Sequence, residues 1–155
     1  MGRPSLVRLV ALLCPIFSGC RVLPVGRAAE AQGQSPLTGT WQNDLGSVMV
    51  LDPPDSAGAF NGTYLTRVAA AHQRPRESPL YGALHLAGPS EQPTFGFTVR
   101  WTFSDSTTVF VGQRLVDAAG EERLDTAWLL RERADSPDDA WKATRVGGNT
   151  FTRLK

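Results

Sequence analysis

Cysteine is missing from most of this chain. The sequence has 155 residues and two cysteines, Cys14 and Cys20, both within the first 32 residues. The remainder, residues 33–155, therefore has no disulfide, no thiolate metal ligand and no cysteine nucleophile. Histidine is also scarce, because His72 and His85 stand apart, without neighbouring cysteines or carboxylates at metal-ligand spacing. The pattern argues against a thiol enzyme and against a bound metal.

An excess of charge of one sign is missing as well. From Gly33 onward, 12 Lys and Arg residues are balanced by 14 Asp and Glu residues, a formal net charge of −2. The basic residues form no stripe with interleaved aromatics, which argues against a nucleic-acid partner. No later hydrophobic run is long enough to span a bilayer. Asp138 and Asp139 have no catalytic partner at a recognisable spacing, so we predict that the protein is not an enzyme.

The first 32 residues differ in kind from the rest. Two arginines precede an apolar run over residues 9–17, and small residues follow it. This order is typical of a secretory signal peptide, and the run is too short for a membrane anchor. Cleavage after Cys20 and cleavage within residues 28–31 both fit the pattern. We expect a leader over residues 1–32, a single domain over residues 33–155 and an extracellular location.

Short alternating runs fill the chain after the leader, and turn signals separate them about every ten residues. Runs of this length indicate strands, and no segment has a helical pattern. The predicted fold class is all-β, an eight-stranded antiparallel up-and-down β-barrel, whose interior suits side chains or one small ligand. A β-sandwich is the main alternative. The predicted strands are residues 39–44, 47–51, 60–68 and 80–86, two strands within 93–117, and residues 123–133 and 141–154.

The stretch over residues 93–110 has the strongest alternation. Its large apolar side chains share one face of an extended chain, and serine and threonine hydroxyls follow them directly. In the other strands the same alternation places amides and hydroxyls beside the aromatic residues. Such groups are costly to bury without partners, so a ligand with a compact polar head would satisfy them. An ordinary core, with some of these residues in solvent, is the alternative. The predicted lumen holds Asn43, Tyr64, Thr66, Trp101, Phe103, Thr108, Phe110, Trp128, Leu130 and Asn149.

Several long segments in series resemble the avidin family, and they span nearly the whole domain in order. What the resemblance implies is a barrel that binds one biotin without covalent chemistry. The segments are LTGTW…NDLGS (37–47), GTYLT (62–66), ESPL (77–80), QPTFGFTVRW (92–101), FSDSTTVFVGQ (103–113), WLLR (128–131) and WKATRVGGNTFTRL (141–154).

The resemblance implies a role for each polar residue of the lumen. Asn43, Ser47 and Tyr64 match the family's hydrogen-bond donors to the ureido oxygen of biotin. Polarising that carbonyl towards an oxyanion makes such bonds charge-assisted and therefore stronger than neutral ones. Thr66 and Asn149 match the acceptors for the two ureido N–H groups.

Further matches surround the rest of the ligand. Thr108 matches the hydroxyl that meets the thioether sulfur. Ser104 and Ser106, with the backbone N–H of Ala70, match the groups that hold the valeryl carboxylate at the barrel mouth. Trp141 matches a tryptophan that family members lend to the site of a neighbouring subunit. The hydrophobic wall around the rings comprises Trp101, Phe103, Phe110 and Trp128, with Leu130 on the same face.

The chain departs from the family pattern at the carboxylate-binding loop. Family members usually carry threonines there, whereas this chain has Ala69, Ala70 and Ala71. One lost hydrogen bond to a charged group is worth roughly 1.5–3 kcal/mol, so we expect binding about ten- to a hundredfold weaker than with the hydroxyls present. Arg67, beside this loop, either pairs with the carboxylate or lies in solvent, and we favour solvent.

Other departures concern stability and assembly. The family's disulfide positions are occupied by Ser35 and Arg114, so we expect stability that does not depend on reductant. The resemblance implies a homotetramer, and a subunit contact that large apolar residues normally make falls here at Ala127, Val146 and Gly148. Since two of these three are small, we expect one weakened dimer contact.

The predicted function is tight biotin binding, for antimicrobial sequestration or for vitamin storage and transport. Asn61-Gly62-Thr63 forms a sequon, which predicts N-glycosylation at Asn61. A lipocalin-like carrier of another small hydrophobic ligand is the alternative, because Gly39-Thr40-Trp41 fits the G-x-W opening of lipocalins. The short chain and the polar lumen residues argue against that alternative.

Overall fold

The computed structural model describes residues 35–67, 76–85 and 92–155. In these ranges each strand pairs antiparallel with its neighbour in chain order, and the last strand pairs with the first. The result is a closed barrel, which confirms the predicted fold class. No helix in these ranges is long and apolar enough to cross a membrane. The elements are β1 (Gly39–Asn43), β2 (Val48–Leu51), β3 (Ala59–Thr66), β4 (Arg76–Leu84), β5 (Thr94–Arg100), β6 (Ser106–Val116), β7 (Glu122–Glu132), a 3₁₀ helix (Pro137–Lys142) and β8 (Thr144–Arg153).

The interior divides into a packed end and an open end. Alternate residues of β5 point inward, so Phe95, Phe97 and Val99 are buried. They pack with Trp41 and Phe151, both of which are fully buried. Phe110 stacks on Phe97 with ring centroids 4.6 Å apart. This aromatic layer fills one end of the barrel and forms the floor of the space at the other.

The fourth strand starts earlier than the sequence predicted. It spans Arg76–Leu84 rather than residues 80–86. The two nearby prolines suggested a loop, because proline cannot donate a ladder hydrogen bond. Pro79 is nevertheless accommodated, since it pairs with Thr63 of β3, while the register with β5 begins one residue later, at Leu80.

A 3₁₀ helix occupies Pro137–Lys142, where the sequence predicted a loop and the start of a strand at Trp141. Proline at the first position suits a helix start, and Asp139 lies in the first turn, where a negative charge is favourable. Asp139 accepts from Ser136 Oγ at 2.9 Å and pairs with Lys142 Nζ at 2.6 Å. The prediction of no helix was therefore wrong here.

The fifth strand is shorter than its apolar alternation predicted. It ends at Arg100, and Trp101 and Phe103 lie in the bend that follows. Polar contacts turn the chain at this point: Thr102 N donates to Ser78 Oγ at 3.1 Å, and Thr102 Oγ1 donates to Glu77 O at 2.8 Å. Both aromatic side chains still face the interior space, as the alternation predicted.

An ionic cluster closes the packed end of the barrel; we call Trp41, Arg114, Glu122 and Arg153 the basal cluster. One carboxylate oxygen of Glu122 lies 3.1 Å from Arg114 Nη2 and the other 2.6 Å from Arg153 Nε. The Arg153 guanidinium lies 4.2 Å from the centre of the Trp41 ring and donates to the carbonyls of residues 36 and 38. Arg114, at a disulfide position of the family, is thus part of a buried ion-pair cluster.

The basal cluster also explains the G-x-W motif. A Cβ on Gly39 would lie 2.7 Å from Arg153 Nη1, so a larger residue would shift the guanidinium from this position. Gly39 also has a φ of +128°, which other residues rarely adopt. Trp41 is fully buried beneath Arg153. The motif therefore closes the barrel end and does not point to a lipocalin ligand.

Candidate ligand-binding cavity

The open end of the barrel contains a cavity of about 380 Å³. This volume fits a small bicyclic molecule with a short chain. Among the described residues of the predicted site, all but Trp141 line the cavity. The lining consists of Asn43, Leu45, Ser47, Tyr64, Thr66, Trp101, Phe103, Ser104, Ser106, Thr108, Phe110, Trp128, Leu130, Glu132 and Asn149.

The amide of Asn43 is held in one orientation at the end of β1. Its Oδ1 accepts from the backbone N–H groups of Leu45 and Ser47, at 3.1 and 2.8 Å. The Nδ2 group consequently faces the cavity, where it donates to Tyr64 Oη at 3.2 Å. The side chain is buried, so its donor is kept out of bulk water.

Ser47 and Tyr64 add two hydroxyl groups beside this amide. Ser47 Oγ accepts from Arg67 N at 3.1 Å, which leaves its proton available for donation. Burial raises the pKa of Tyr64 to about 12, while a hydrogen bond with Ser47 opposes the rise and the charge of Asp44 adds to it. Tyr64 is therefore a neutral phenol, and hence a donor, at physiological pH. Asn43, Ser47 and Tyr64, which we call the donor triad, present three donors at one end of the cavity.

Asn149 and Thr108 add further polar groups to the cavity lining. Asn149 Nδ2 donates to Asp44 Oδ1 at 2.7 Å, so its Oδ1 faces the cavity. Thr108 is buried and its Oγ1 accepts from Trp101 Nε1 at 2.8 Å, which leaves the Thr108 hydroxyl proton for a ligand. Asn149 therefore suits an N–H group, and Thr108 suits a weak acceptor such as a thioether.

Aromatic rings form the apolar walls between these polar groups. Tyr64 meets Trp101 edge-on at 5.4 Å, and Trp101 lies 5.5 Å from Phe103. Trp128 lies against Gly147 of β8, where a Cβ would approach the indole to 2.3 Å. Glycine at this position therefore leaves room for the Trp128 indole against β8.

The mouth of the cavity is polar on one side. Ser104 Oγ and Ser106 Oγ share a hydrogen bond of 2.7 Å, and the side chain of Leu130 lies nearby in the lining. Leu45 and Glu132 also line the cavity and were missed by the sequence prediction. Glu132 has the same parity as Trp128 and Leu130 along β7, so extending the alternation by one step finds it. Leu45 lies in the β1–β2 turn, which alternation does not reach.

Other predicted residues lie elsewhere. Ala70 falls outside the described residues. Trp141 lies on the 3₁₀ helix and is 83% exposed, so it contributes nothing to the cavity of its own barrel. Arg67 is exposed, with its Cδ 3.7 Å from the Cβ position of Gly46, and it does not line the cavity. Asn61 is exposed on the outer face of β3.

A protein-family model described as "Avidin family" matches residues 31–154. The chain belongs to the avidin family. Chicken (Gallus gallus) avidin is 54% identical over 119 residues, which cover 77% of this chain and 78% of that protein. Chicken avidin-related protein 1 is 55% identical over the same shares of the two chains.

Solved structures of avidin-family proteins agree with this assignment. A chicken protein described as a biotin-binding protein superposes with a TM-score of 0.70 at 55% identity, covering 77% of this chain and 96% of that one. Xenavidin superposes with a TM-score of 0.71 at 48% identity, covering 79% and 100%. Family and fold were therefore both identified correctly from the sequence motifs.

Proposed function

We propose that the cavity binds biotin without covalent chemistry and that the protein acts as a binder, not as an enzyme. The observation that carries the proposal is the donor triad. The amide oxygen of Asn43 and a lone pair of the Ser47 hydroxyl are already occupied by backbone N–H groups. Asn43 Nδ2 and the Ser47 and Tyr64 hydroxyls all line the cavity, and in the proposed complex a ureido oxygen with partial negative charge accepts a hydrogen bond from each of them.

The other cavity residues match the rest of the biotin molecule. In the proposed complex Asn149 Oδ1 and the Thr66 hydroxyl accept from the two ureido N–H groups, and the Thr108 hydroxyl donates to the sulfur. The bicyclic rings lie among the aromatic walls. Ser104 and Ser106 exchange their mutual hydrogen bond for bonds to the valeryl carboxylate, joined by the backbone N–H of Ala70. For Asn149 and Thr108 the other polar contact of the side chain is the one described above, with Asp44 and with Trp101.

The proposed biological role follows from binding. A secreted biotin binder either withholds the vitamin from microorganisms or stores and transports it. We propose that residues 1–32 direct secretion, which is consistent with the charged and apolar order of that segment. Asn61, exposed on the outer barrel face, is proposed to carry an N-linked glycan in the secretory pathway.

Equilibrium binding of radiolabelled biotin to the parent and to Trp101→Ala tests the proposal. We expect tight binding by the parent. The variant loses an aromatic wall and the hydrogen bond to Thr108, so we expect binding about ten- to a hundredfold weaker. Tyr81→Ala is the matched control, because Tyr81 is an aromatic residue on the outer face, and it should bind biotin like the parent. A folded parent that fails to bind biotin contradicts the proposed function.

We further propose a homotetramer. Neighbouring outward positions on β6, β7 and β8 form a continuous apolar surface, in which Val109 pairs with Leu129 and Val111 with Ala127. Val111 is 63% exposed and Val146, opposite Leu129 on β8, is 73% exposed. A contiguous apolar patch of this kind marks an association surface. The exposed Trp141 has the area and location to enter the cavity mouth of a neighbouring subunit.

The small residues in this surface predict that one dimer contact of the tetramer is weak. Ala127 and Gly148 pair across β7 and β8, so the middle of the apolar surface is shallow. We expect the tetramer to dissociate into dimers at nanomolar protein in analytical ultracentrifugation. Ala127→Met adds apolar area at this point, so the tetramer should dissociate only at lower protein concentration. A parent tetramer that is independent of concentration in this range would contradict the weakened contact.

A further inference from the structure

Glu132 places a negative charge at the cavity mouth. It lies at the end of β7, two residues beyond Leu130, and it lines the cavity together with Ser104 and Ser106. Among the described residues that line the cavity, it is the only one charged at neutral pH, because Tyr64 stays protonated. The structure thus combines a cavity built for a neutral polar head with an anion at its exit.

The neighbouring cations do not cancel this charge inside the cavity. Arg145 Nη1 pairs with Glu132 Oε1 at 2.5 Å, but Arg145 lines a separate groove on the far side of Glu132. Arg131 is bonded to the Ala140 carbonyl and to Thr144 Oγ1, outside the cavity. Arg133 lies between Asp105 and Asp135, at 3.5 and 3.4 Å. A group leaving the cavity therefore meets the carboxylate of the Glu132–Arg145 pair first.

The ligand's carboxyl end has to lie at this mouth. Burying an ionised carboxylate without a cationic partner is costly, and the deep end of the cavity is occupied by the donor triad and the aromatic floor. A carboxylate at the mouth is then close to Glu132, and two like charges repel each other. An amide or ester at the same position carries no charge and escapes this repulsion.

We propose that Glu132 opposes the free carboxylate and offsets part of what the Ser104 and Ser106 hydroxyls contribute to binding it, whereas biotin whose carboxyl group is joined as an amide meets no such repulsion; this rests on the proposed function. An open groove of about 660 Å³ adjoins the mouth and shares Ser106 and Glu132 with the cavity. It has room for the chain beyond the amide, and its lining is polar and carries charges of both signs, with Asp105, Arg131 and Arg133 among the residues that line it. The ligand class that Glu132 does not oppose is therefore biotin linked to an amine, such as a lysine side chain in a peptide.

Competition of biotin and of biotinamide against radiolabelled biotin tests the inference. We expect Glu132→Gln to tighten binding of the free acid about three- to tenfold, the range for a solvent-screened charge pair, and to leave biotinamide unchanged. Higher salt should strengthen binding of the acid by the parent and have no effect on biotinamide. Asp125→Asn is the matched control, because it removes an exposed carboxylate that is also paired with an arginine and lines neither the cavity nor the groove, and it should leave the ratio of the two affinities unchanged.

Different results separate the two proposals. If both compounds bind the parent and their affinity ratio is the same in Glu132→Gln, the role of Glu132 is wrong and biotin binding stands. If neither compound binds a folded parent, the proposed function is wrong and the inference fails with it. If parent and variant have equal melting temperatures, a change in the ratio of the two affinities reflects the cavity mouth and not a loss of folding.

Discussion

Asn43→Asp is expected to weaken biotin binding at least a hundredfold and to leave the barrel folded. The new side chain keeps one oxygen in place for the backbone N–H groups of Leu45 and Ser47, so the β1–β2 turn is retained. The other oxygen replaces the Nδ2 donor and points at the position proposed for the ureido oxygen. A hydrogen bond to a charged acceptor, worth about 1.5–3 kcal/mol, is thereby exchanged for repulsion between two oxygens.

Equilibrium binding of radiolabelled biotin measures this effect. Gln42→Glu makes the same amide-to-acid change one residue earlier in β1, on a side chain that bonds Gly46 O and does not line the cavity. That variant should bind biotin within about twofold of the parent, since surface changes of this kind have small effects. Similar losses in both variants would show that negative charge near the turn, rather than the lost donor, controls binding.

Glu122→Gln is expected to lower the free energy of unfolding by about 2–3 kcal/mol. The side chain of Arg114 is 7% exposed, and its guanidinium faces the Glu122 carboxylate. Removing the negative charge takes the carboxylate away from two arginines of the basal cluster, and breaking a buried ion pair by removing one partner is strongly destabilising. The 27% exposure of Glu122 places the expected loss below the roughly 3–5 kcal/mol of fully buried pairs.

Urea denaturation at fixed protein concentration, without biotin, measures the loss. Asp125→Asn is the matched control, because it breaks the exposed pair with Arg123 and should cost less than about 1 kcal/mol. Adding Arg114→Leu to Glu122→Gln removes the buried guanidinium that faced the carboxylate and should recover part of the stability. If the double variant is no more stable than Glu122→Gln, the ion pair is not the source of the loss.

The same cluster predicts how stability depends on pH. Burial alone would raise the pKa of Glu122, but hydrogen bonds and charges from Arg153 and Arg114 outweigh it, so the pKa lies below its ordinary value. A lowered pKa in the folded state means that the contribution is present above the pKa of the unfolded chain, near 4.5, and is lost as pH falls through the folded-state value. This acid-dependent loss should be absent from Glu122→Gln.

Local alternation was sufficient to predict much of the barrel and its cavity. It placed Asn43, Tyr64 and Asn149 on the inner face, because strand geometry fixes the side of each residue once the strand is recognised. Alternation did not predict where β5 ends or where the 3₁₀ helix lies, because tertiary contacts override the local pattern there. Trp101 lies in a bend that depends on contacts with β4, and Trp141 lies on a short 3₁₀ helix.

The basal cluster lay beyond sequence reasoning for a different reason. Arg114, Glu122 and Arg153 are ordinary charged residues in the sequence, and nothing local distinguishes them from solvent-exposed ones. Their pairing depends on barrel closure, which brings β8 against β1 and places Arg153 over Trp41. Glu132 was missed on similar grounds, since a charged residue at a strand end is usually solvated.

Barrel closure also has a consequence for the order of folding. The hydrogen bond from Arg153 to the Thr38 carbonyl joins residues 115 positions apart, whereas the other strand pairs are neighbours in the chain. Bringing such distant segments together carries the largest loop-closure entropy, so hairpins form first and the β1–β8 seam forms late. Substitutions at Trp41 or Arg153 should therefore accelerate unfolding and leave the refolding rate nearly unchanged. The contacts between β1 and β8 therefore control the unfolding rate of this protein.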